Sequence, residues 1–598
     1  MLSDLKKISR LITKRDKWNF VILFILMITA AFLEAASIGI IPVFIGFLVQ
    51  PSALAKNDFL AARLGELPNE PTLKLVVLAS FALLLFTILK NTYLASVYYI
   101  QSRFVYGQLV KLSDRMFRVY QKAPYSWFLQ RSSSEIQRNI QFDTSQIING
   151  LVMSSLDLIL GIIMSLGIIL VMIFSTPSST TIVIFFMGIA LLILTKFLKI
   201  QLEQIGKVVR NESKESIKSI QQGFGAFVDA RIAGCESHLA QIHQSSLIRF
   251  SKVAIKSAAI KRTTPLMLET IAIIGMLLVL VFLIQVGDSI TDSLPTLSVI
   301  AFSIIRLKQI TIKLANSVNR INECRPYIPN LVKDIDELEG LEKQLNEKKS
   351  ENTLGSFNTL ELSNVNYAYP NSEKIAIRNI SLKLNKGESI AFVGSTGCGK
   401  STLVNCILGL LVPQSGKITV NGHDIQKDPE GWRNCLGYIP QTIYLLDDTL
   451  RANIAFGVPQ DQIDEECLHS ALTSAALAPF VDDLPEGLDT VIGERGVRLS
   501  GGQRQRLGIA RALYFNPQVL VMDEATSALD NQTEAEVMQA IQNLKKERTL
   551  IMIAHRLSTV KDCDCLYFLE DGVITDAGCY QDLTDKSIGF RKIAAFTM

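Results

Sequence analysis

The sequence predicts a multi-domain fold, in which an all-α membrane domain of six helices is followed by an α/β domain. With 598 residues, the chain has about four times the ~150 residues of a typical domain. Only 19% of the residues are charged and 48% are hydrophobic, whereas soluble chains carry roughly 25% charged residues. Long apolar stretches fill the first half, and short β-rich runs alternate with helical segments in the second. This composition argues against a purely soluble enzyme, a disordered scaffold and a secreted disulfide module.

Six apolar stretches in the first half are long enough to cross a membrane, which requires about 20 mainly apolar residues in a helix. They define a predicted transmembrane domain over residues 1–333. The first stretch is longer and more continuous than the core of a signal peptide, so we expect it to stay as an anchor. The six predicted membrane helices cover residues 20–48, 75–100, 152–174, 181–198, 265–286 and 296–314.

Basic residues indicate the orientation of these helices, because lysine and arginine stay preferentially on the cytoplasmic side. They are abundant before the first helix and in the connections 101–151 and 199–264, whereas the connections 175–180 and 287–295 contain none. This pattern predicts an integral, multi-pass membrane protein with three outer connections and both termini in the cytoplasm. The nine cysteines avoid those outer connections, which fits a reducing compartment. A formal net charge of +4 gives no reason to expect nucleic acid as a partner.

The two inner connections are too long for simple turns. We expect the membrane helices to run on into the cytoplasm and to end in short crossing elements, Tyr125–Leu129 and Gly223–Val228, which dock onto another domain. Ordinary capped loops are the alternative. Residues 334–355 carry mixed charge with little apolar content and are predicted to form a solvated helical linker. Residues 356–598 then alternate strands and helices, which predicts an α/β domain with a mainly parallel sheet.

A phosphate-binding motif opens the chemistry of this second domain. The run Gly394-Ser395-Thr396-Gly397-Cys398-Gly399-Lys400-Ser401 matches G-x-x-x-x-G-K-[ST] between an apolar run and a helical segment that starts near Thr402. Its glycines allow backbone N–H groups to surround phosphate oxygens at a helix N-terminus. Lys400 is predicted to neutralise the β- and γ-phosphates of ATP, and the Ser401 hydroxyl to bind Mg²⁺.

Two further runs fit the chemistry of a magnesium nucleotide. The apolar run 519–522 ends in Asp523 and Glu524; Asp523 is predicted to hold the metal and Glu524 to polarise the attacking water. Between this run and the phosphate-binding motif lie Ser500, Gly501, Gly502 and Gln503, ahead of a helical stretch. These residues form either a flexible turn or a second anion cradle at a helix start. One ATP cannot easily touch both cradles of a single domain, so a second copy would supply the other.

Residues 360–590 resemble the nucleotide-binding domain of the ATP-binding cassette (ABC) family, whose LSGGQ signature stands at Leu499–Gln503. The resemblance implies a helical subdomain and assigns further roles by position. Tyr369 resembles the aromatic residue that stacks on adenine, and Gln441 the glutamine that senses Mg²⁺ and the attacking water. His555 resembles the histidine at the γ-phosphate, although a lone histidine at a strand end is more often structural. Ser527–Asp530 and Gly493–Gly496 resemble loops that contact the partner copy and the membrane domain.

Six membrane helices followed by one such domain resemble an ABC exporter half-transporter. This resemblance implies a homodimer with two composite sites, in which ATP hydrolysis with Mg²⁺ drives membrane translocation. One departure from the family is Cys398, where many members carry a small residue without a thiol. We expect this thiol to make ATP hydrolysis sensitive to thiol reagents.

The cargo is predicted from polar residues within the membrane helices. Glu34 and Glu269 lie inside predicted crossings, where a charge costs about 2.5–3.5 kcal/mol on insertion scales, so each faces a cavity or an interhelical partner. Arg306 and Lys308 are predicted to line the inward-facing side, where they would bind an anionic headgroup; the alternative is that they snorkel at the boundary.

Short stretches around Glu34, Glu269 and Arg306 resemble bacterial lipid-linked-oligosaccharide flippases. That resemblance implies an amphipathic, anionic lipid-linked substrate in a bacterial inner membrane. The alternatives are an exporter of peptides or hydrophobic drugs, and an ATP-gated channel or regulatory membrane ATPase. A soluble cassette ATPase is excluded by the six membrane-length stretches.

Overall fold

The computed structural model describes residues 14–49, 73–175, 177–286, 294–347, 355–370, 372, 374–493, 496–523, 539, 548–554 and 556–597. The chain divides into two compact units. The first comprises Met1–Ala123 and Arg131–Leu341, and the second comprises Pro124–Gln130 and Glu342–Met598.

The first unit is all-α, as predicted. Within the described residues, six long helices contain the predicted membrane stretches, apart from Val152 at the start of the third: α1 Lys14–Val49, α2 Leu73–Gln121, α5 Met153–Ser175, α6 Pro177–Gly225, α8 Glu236–Val286 and α9 Leu294–Cys324. Shorter helices accompany them: α3 Tyr125–Phe128, which belongs to the second unit, α4 Ser133–Arg138, α7 Phe227–Ala233 and α10 Ile328–Glu347. Two π-helical segments, Asn139–Asp143 and Gln146–Val152, connect α4 to α5.

Apolar side chains cover the outer surface of these helices over a membrane-length stretch. On α2, Val77, Leu78 and Phe81 are each at least 60% exposed. Exposed apolar side chains of this kind are unfavourable in water, so they indicate a surface that another apolar phase covers. Within the described residues, three helical stretches have the length and composition to cross a membrane: Asp16–Ile40, Val76–Gln121 and Ser133–Phe174. Helices α2, α6 and α8 continue for 21 to 29 residues beyond the predicted boundaries, as the long inner connections predicted.

The prediction of a solvated linker from residue 334 is wrong at its start. Asp334, on α10, is 2% exposed, and its carboxylate accepts hydrogen bonds from the Tyr120 hydroxyl at 2.8 Å and the Asn139 amide at 3.2 Å. Arg131 lies 3.3 Å from the same carboxylate. A charged residue can be buried when it is paired and hydrogen-bonded, and composition alone does not reveal such partners. Helix α10 is therefore packed into the first unit as far as Leu341.

The two predicted crossing elements differ in their surroundings. Residues Pro124–Gln130 group with the second unit, where Tyr125 packs against a core that contains Phe357, Leu403 and Trp432. This agrees with the docking predicted for Tyr125–Leu129. Gly223–Val228, at the junction of α6 and α7, belongs to the first unit.

The second unit is α/β, as predicted. A six-stranded sheet has the order β10-β9-β3-β8-β7-β6, in which only the β9–β10 pair is antiparallel. A four-stranded antiparallel sheet of order β2-β1-β4-β5 was not predicted. The strands are β1 Thr359–Ala368, β2 Ile375–Asn385, β3 Ser389–Gly394, β4 Ser415–Val420, β5 His423–Asp424, β6 Leu436–Ile439, β7 Val519–Asp523, β8 Thr549–Ile553, β9 Cys565–Glu570 and β10 Val573–Gly578.

Helices surround these sheets, and four of them form the helical subdomain between β6 and β7. Within the described residues, the helices with given bounds are α11 Lys400–Ile407, α12 Pro429–Asn434, α13 Leu450–Ile454, α14 Glu465–Ser474, α15 Ala478–Asp482, α16 Gly501–Leu513, α17 Tyr580–Lys586 and α18 Ile588–Thr597.

Candidate functional site

The phosphate-binding motif forms a tight loop between β3 and α11. Every residue of β3 is buried except the half-buried Gly394 at its end. Gly394 has φ +154°, and a Cβ there would lie 2.3 Å from the Leu569 carbonyl oxygen. Gly399 has φ +107°, and its Cβ would lie 2.6 Å from the carbonyl oxygen of Ala376. Both positions therefore require glycine, and the loop is held against two neighbouring strands.

Lys400 is the first residue of α11 and is 4% exposed. Its ammonium donates hydrogen bonds to the carbonyl oxygens of Gly394 at 2.7 Å and Ser395 at 3.0 Å. Both acceptors are neutral carbonyl groups, so these two hydrogen bonds do not cancel the charge of the ammonium. The loop thus presents a fixed positive charge at a helix N-terminus, which favours a phosphate group.

A cavity of about 490 Å³ lies over this loop. Eight of its lining residues were predicted from the sequence: Tyr369, Thr396, Gly397, Gly399, Lys400, Ser401, Thr402 and Gln441. The Tyr369 and Thr402 hydroxyl groups are 3.0 Å apart, so the aromatic residue is attached to the loop. Gly394, Ser395 and Cys398 also belong to the loop, but they are absent from the described lining of the cavity.

Sequence reasoning missed the other lining residues: Ser372, Lys374, Ile375, Ala376, Asp571 and Gly572. Asp571 and Gly572 join β9 to β10, and both have positive φ, at +45° and +81°. An Asp-Gly pair between two strands is a recognisable hairpin signal. Its place beside the phosphate loop, where the Gly572 N–H donates to the Cys398 carbonyl at 3.0 Å, could not be predicted because about 170 residues separate the two segments.

The parallel sheet explains how the remaining predicted residues converge. Strand β8 lies between β3 and β7, with Ile553 opposite both Phe392 and Asp523, and β6 pairs with β7 through Ile439. The carboxyl ends of parallel strands meet at one edge of a sheet, which is where ligands bind in α/β folds. The phosphate loop after β3, the segment with Gln441 after β6, and Asp523 at the end of β7 therefore share one edge.

Asp523 is half-buried at this edge and lies close to Tyr438, on the neighbouring strand. Burial, together with the Asp523 carboxylate, raises the pKa of Tyr438 to about 12, so this phenol stays neutral at physiological pH. Glu524 and His555, which come after β7 and β8 in the sequence, lie outside the described residues, as do Ser527–Asp530, Glu494 and Arg495.

The LSGGQ signature begins helix α16. Ser500 is its N-cap: the Ser500 hydroxyl accepts a hydrogen bond from the Gln503 N–H at 3.2 Å, and the Gln503 side chain accepts one from the Ser500 N–H at 2.8 Å. This capping box orders the helix start. Ser500, Gly501, Gly502 and Gln503 are absent from the described lining of the cavity over the phosphate loop.

Comparison with known proteins agrees with this geometry. Residues 377–527 match the family model of the ABC transporter, and residues 20–303 match that of the ABC transporter transmembrane region. The ATP-dependent lipid A-core flippase of Pasteurella multocida (strain Pm70) is 30% identical over 486 residues, which cover 80% of this chain and 82% of that protein. The chain belongs to the ABC exporter family. The lipid A-core flippase of Escherichia coli (strain K12) is 29% identical over 501 residues, with the same coverage.

The fold of this ABC exporter also resembles a solved structure. A bacterial Atm1-family ABC exporter with ATP bound has a TM-score of 0.79 to this chain at 23% identity, covering 96% of this chain and 97% of that one. The exporter is thus a multi-pass membrane protein whose nucleotide-binding domain binds and hydrolyses ATP to drive transport, as the motifs predicted.

The ionisable residues predicted for the cargo lie in two groups in the first unit, one around Glu34 and one around Glu269. Glu34, on α1, is 2.9 Å from the Lys90 ammonium and 3.4 Å from the Arg306 guanidinium. Glu269, on α8, accepts a hydrogen bond from Lys308 on α9 at 2.8 Å. The Glu34 carboxylate therefore forms contacts between helices. This is one of the two alternatives that the sequence left open, the other being a cavity.

The position of Cys398 changes what is expected of thiol reagents. Its side chain is 4% exposed and packs in the core beside the phosphate loop, with its sulfur 3.9 Å from the Lys400 ammonium. Cys579, by contrast, is exposed. We expect a bulky maleimide to label Cys579 rapidly and Cys398 slowly, with loss of ATPase activity following the label on Cys398. Mass spectrometry of timed samples measures both; labelled Cys398 with unchanged ATPase activity would contradict this expectation.

Proposed function

We propose that this exporter is a homodimer in a bacterial inner membrane that flips or exports an amphipathic lipid-linked oligosaccharide or related glycolipid. Both termini would lie in the cytoplasm. The observation that supports an anionic cargo most directly is the ion cluster around Glu34. One carboxylate there faces two cations, so the cluster carries one excess positive charge within the predicted membrane helices.

Arg306 is the member of the cluster that would meet the headgroup. Its side chain is 42% exposed, whereas the Lys90 side chain is 4% exposed and lies fully within the ion pair. A guanidinium can bind a phosphate with two parallel hydrogen bonds. Lys308 is already paired with Glu269, and both are partly exposed, so it would contribute less to binding.

Two observations support the homodimer. First, the cavity over the phosphate loop has no lining residue from the LSGGQ signature, and a partner copy would supply it. Second, four apolar side chains on α6 and α7 are at least 60% exposed: Phe224, Phe227, Val228 and Ile232. An exposed patch of this kind marks an interaction surface, and the predicted docking role of Gly223–Val228 makes the partner protomer the proposed occupant. A mass measurement that finds one protomer in the active particle would refute this assembly.

The nucleotide roles are proposed on the same basis. Ser401 and Gln441 line the cavity, and with Asp523 they offer hydroxyl, amide and carboxylate oxygens, which suit Mg²⁺. A bound Mg²⁺ would neutralise charge on the phosphates. Lys400 would bind the β- and γ-phosphates, Tyr369 would stack on the base, Glu524 would orient and polarise the attacking water, and His555 would contact the γ-phosphate.

Reconstitution in liposomes tests the cargo. We expect a fluorescent lipid-linked oligosaccharide to become accessible in the opposite leaflet only with ATP, and not with the Glu524→Gln variant. If ATPase-active wild-type protein moves no such lipid, the glycolipid proposal fails. Movement of peptides or hydrophobic dyes instead would support the second candidate, which the shared exporter fold also accommodates. ATP-dependent ion conductance without any transport would support the channel.

Neutralising the cluster tests the headgroup role. In Arg306→Gln, we expect stimulation of ATPase activity by an anionic lipid-linked substrate to fall about tenfold, as for the loss of one charged hydrogen bond, with a smaller loss of basal activity. Lys308→Gln should have a weaker effect, because Glu269 already neutralises that lysine. Parallel dose–response curves measure both variants. Equal losses of basal and stimulated activity in Arg306→Gln would contradict the headgroup role.

A further inference from the structure

A groove between α1 and α2 is independent of the cluster around Glu34. It encloses about 350 Å³, which is within the range of small-molecule sites. Helix α1 contributes Asp16, Asn19, Ile22 and Leu23, and α2 contributes Ile100, Arg103, Phe104, Gly107, Gln108 and Lys111.

The groove crosses the boundary between apolar and polar sequence on both helices. The apolar run of α1 begins at Phe20, and that of α2 ends at Ile100, so both boundaries fall within the groove. One end of the groove is consequently apolar, with Ile22, Leu23 and Ile100, and the other end, with Asp16 and Lys111, is polar. Trp18, one turn from Ile22, is 67% exposed, as is common for tryptophan at a membrane–water interface.

The polar residues that line the groove carry an excess positive charge. The Lys111 ammonium pairs with the Asp16 carboxylate at 2.5 Å, and the carboxylate is 2% exposed while the lysine side chain is 54% exposed. Arg103 is exposed, and in the described part of the chain no carboxylate forms an ion pair with it. The net charge of the lining residues is therefore +1, from two cations and one acid.

We infer that this groove binds an anionic glycerophospholipid of the inner leaflet, a lipid of the bilayer and not the cargo. Its phosphate would contact Arg103 and the exposed side of Lys111, and an acyl chain would follow Ile22, Ile100 and Phe104. Basic residues beside an apolar surface at the cytoplasmic boundary have the chemistry of anionic-lipid recognition. The inference depends on the proposed membrane orientation and not on the identity of the cargo.

Gly107 offers a way to fill the groove without a clash. A Cβ built on this residue meets no atom within 4 Å, so the side chain in Gly107→Leu would enter open space. Arg103→Gln removes the charge and leaves the shape. Arg262→Gln is the matched control, because Arg262 is also an exposed arginine just before an apolar run, on α8.

The experiment is native mass spectrometry of the detergent-purified full-length protein, titrated with phosphatidylglycerol or phosphatidylcholine without nucleotide. We expect preferential retention of phosphatidylglycerol, and about tenfold weaker retention in Arg103→Gln. Gly107→Leu should also weaken retention, and Arg262→Gln should not. The spectra report the intact assembly, which shows that each variant is folded.

Four results would overturn the inference. They are equal retention of the two lipids, equal retention in Arg103→Gln and Arg262→Gln, full retention in Gly107→Leu, and displacement of the lipid by inorganic phosphate alone. The last result would assign the polar end to free phosphate. Since no nucleotide or cargo is present, failure here would leave the proposed transport function untouched, and failure of the liposome assay would leave this site untouched.

Discussion

Replacing Glu524 by glutamine is expected to lower ATP turnover by about 10²–10⁴-fold, the contribution of a positioned general base, while ATP still binds. Strand β7 is buried from Val519 to Met522 and delivers Asp523 to the sheet edge that also bears the phosphate loop. Glu524 follows directly. The amide retains the size of the carboxylate and one acceptor oxygen, but it has an NH₂ donor in place of the other oxygen and cannot accept a proton from water.

Two assays of the full-length protein in lipid vesicles test this prediction. One measures ATP turnover, and the other measures binding of a fluorescent ATP analogue. Glu570→Gln is the control, because Glu570 is an exposed acid at the end of β9, a parallel neighbour of β3 in the same sheet. Activity close to wild type in Glu524→Gln would remove this residue from the role of base. Loss of ATP binding would indicate a structural role instead.

Replacing Lys400 by methionine should instead act on binding. The methionine side chain has a similar length, but it has no charge to offer the β- and γ-phosphates. Because a hydrogen bond to a charged group contributes about 1.5–3 kcal/mol, we expect ATP affinity to fall at least 10- to 100-fold, and turnover to fall with it. The substitution also leaves the carbonyl groups of Gly394 and Ser395 without their donor, which loosens the loop.

The same binding assay measures this affinity, with Lys383→Met as control. Lys383 is an exposed lysine on β2, outside the cavity over the phosphate loop. The binding assay should therefore distinguish the two variants. We expect Lys400→Met to lose ATP affinity, and Glu524→Gln to keep ATP affinity while losing turnover. Undiminished ATP affinity in Lys400→Met would show that the backbone of the loop binds the phosphates without the lysine.

The structure distinguishes residues for which the sequence predicted the same role or the same exposure to solvent. Glu34 and Arg306 were both candidates for contact with the cargo, yet Glu34 is held by Lys90 and Arg306 retains an exposed side chain. Asp334 was assigned to a solvated linker, yet it accepts buried hydrogen bonds from Tyr120 and Asn139. In both cases the partner comes from another helix, and sequence spacing contains no information about which helix that is.

Features that depend on residues close together in sequence were therefore predictable from the sequence alone. Apolar runs of membrane length gave the six helices, and the glycine pattern between β3 and α11 gave the phosphate loop, because backbone geometry and hydropathy act over a few residues. Only the folded chain revealed that Lys374 and Asp571 line the cavity over the phosphate loop, that Glu34 pairs with Lys90, and that Arg103 shares a groove with Asn19. These contacts join segments far apart in sequence, and packing of whole helices and strands determines them.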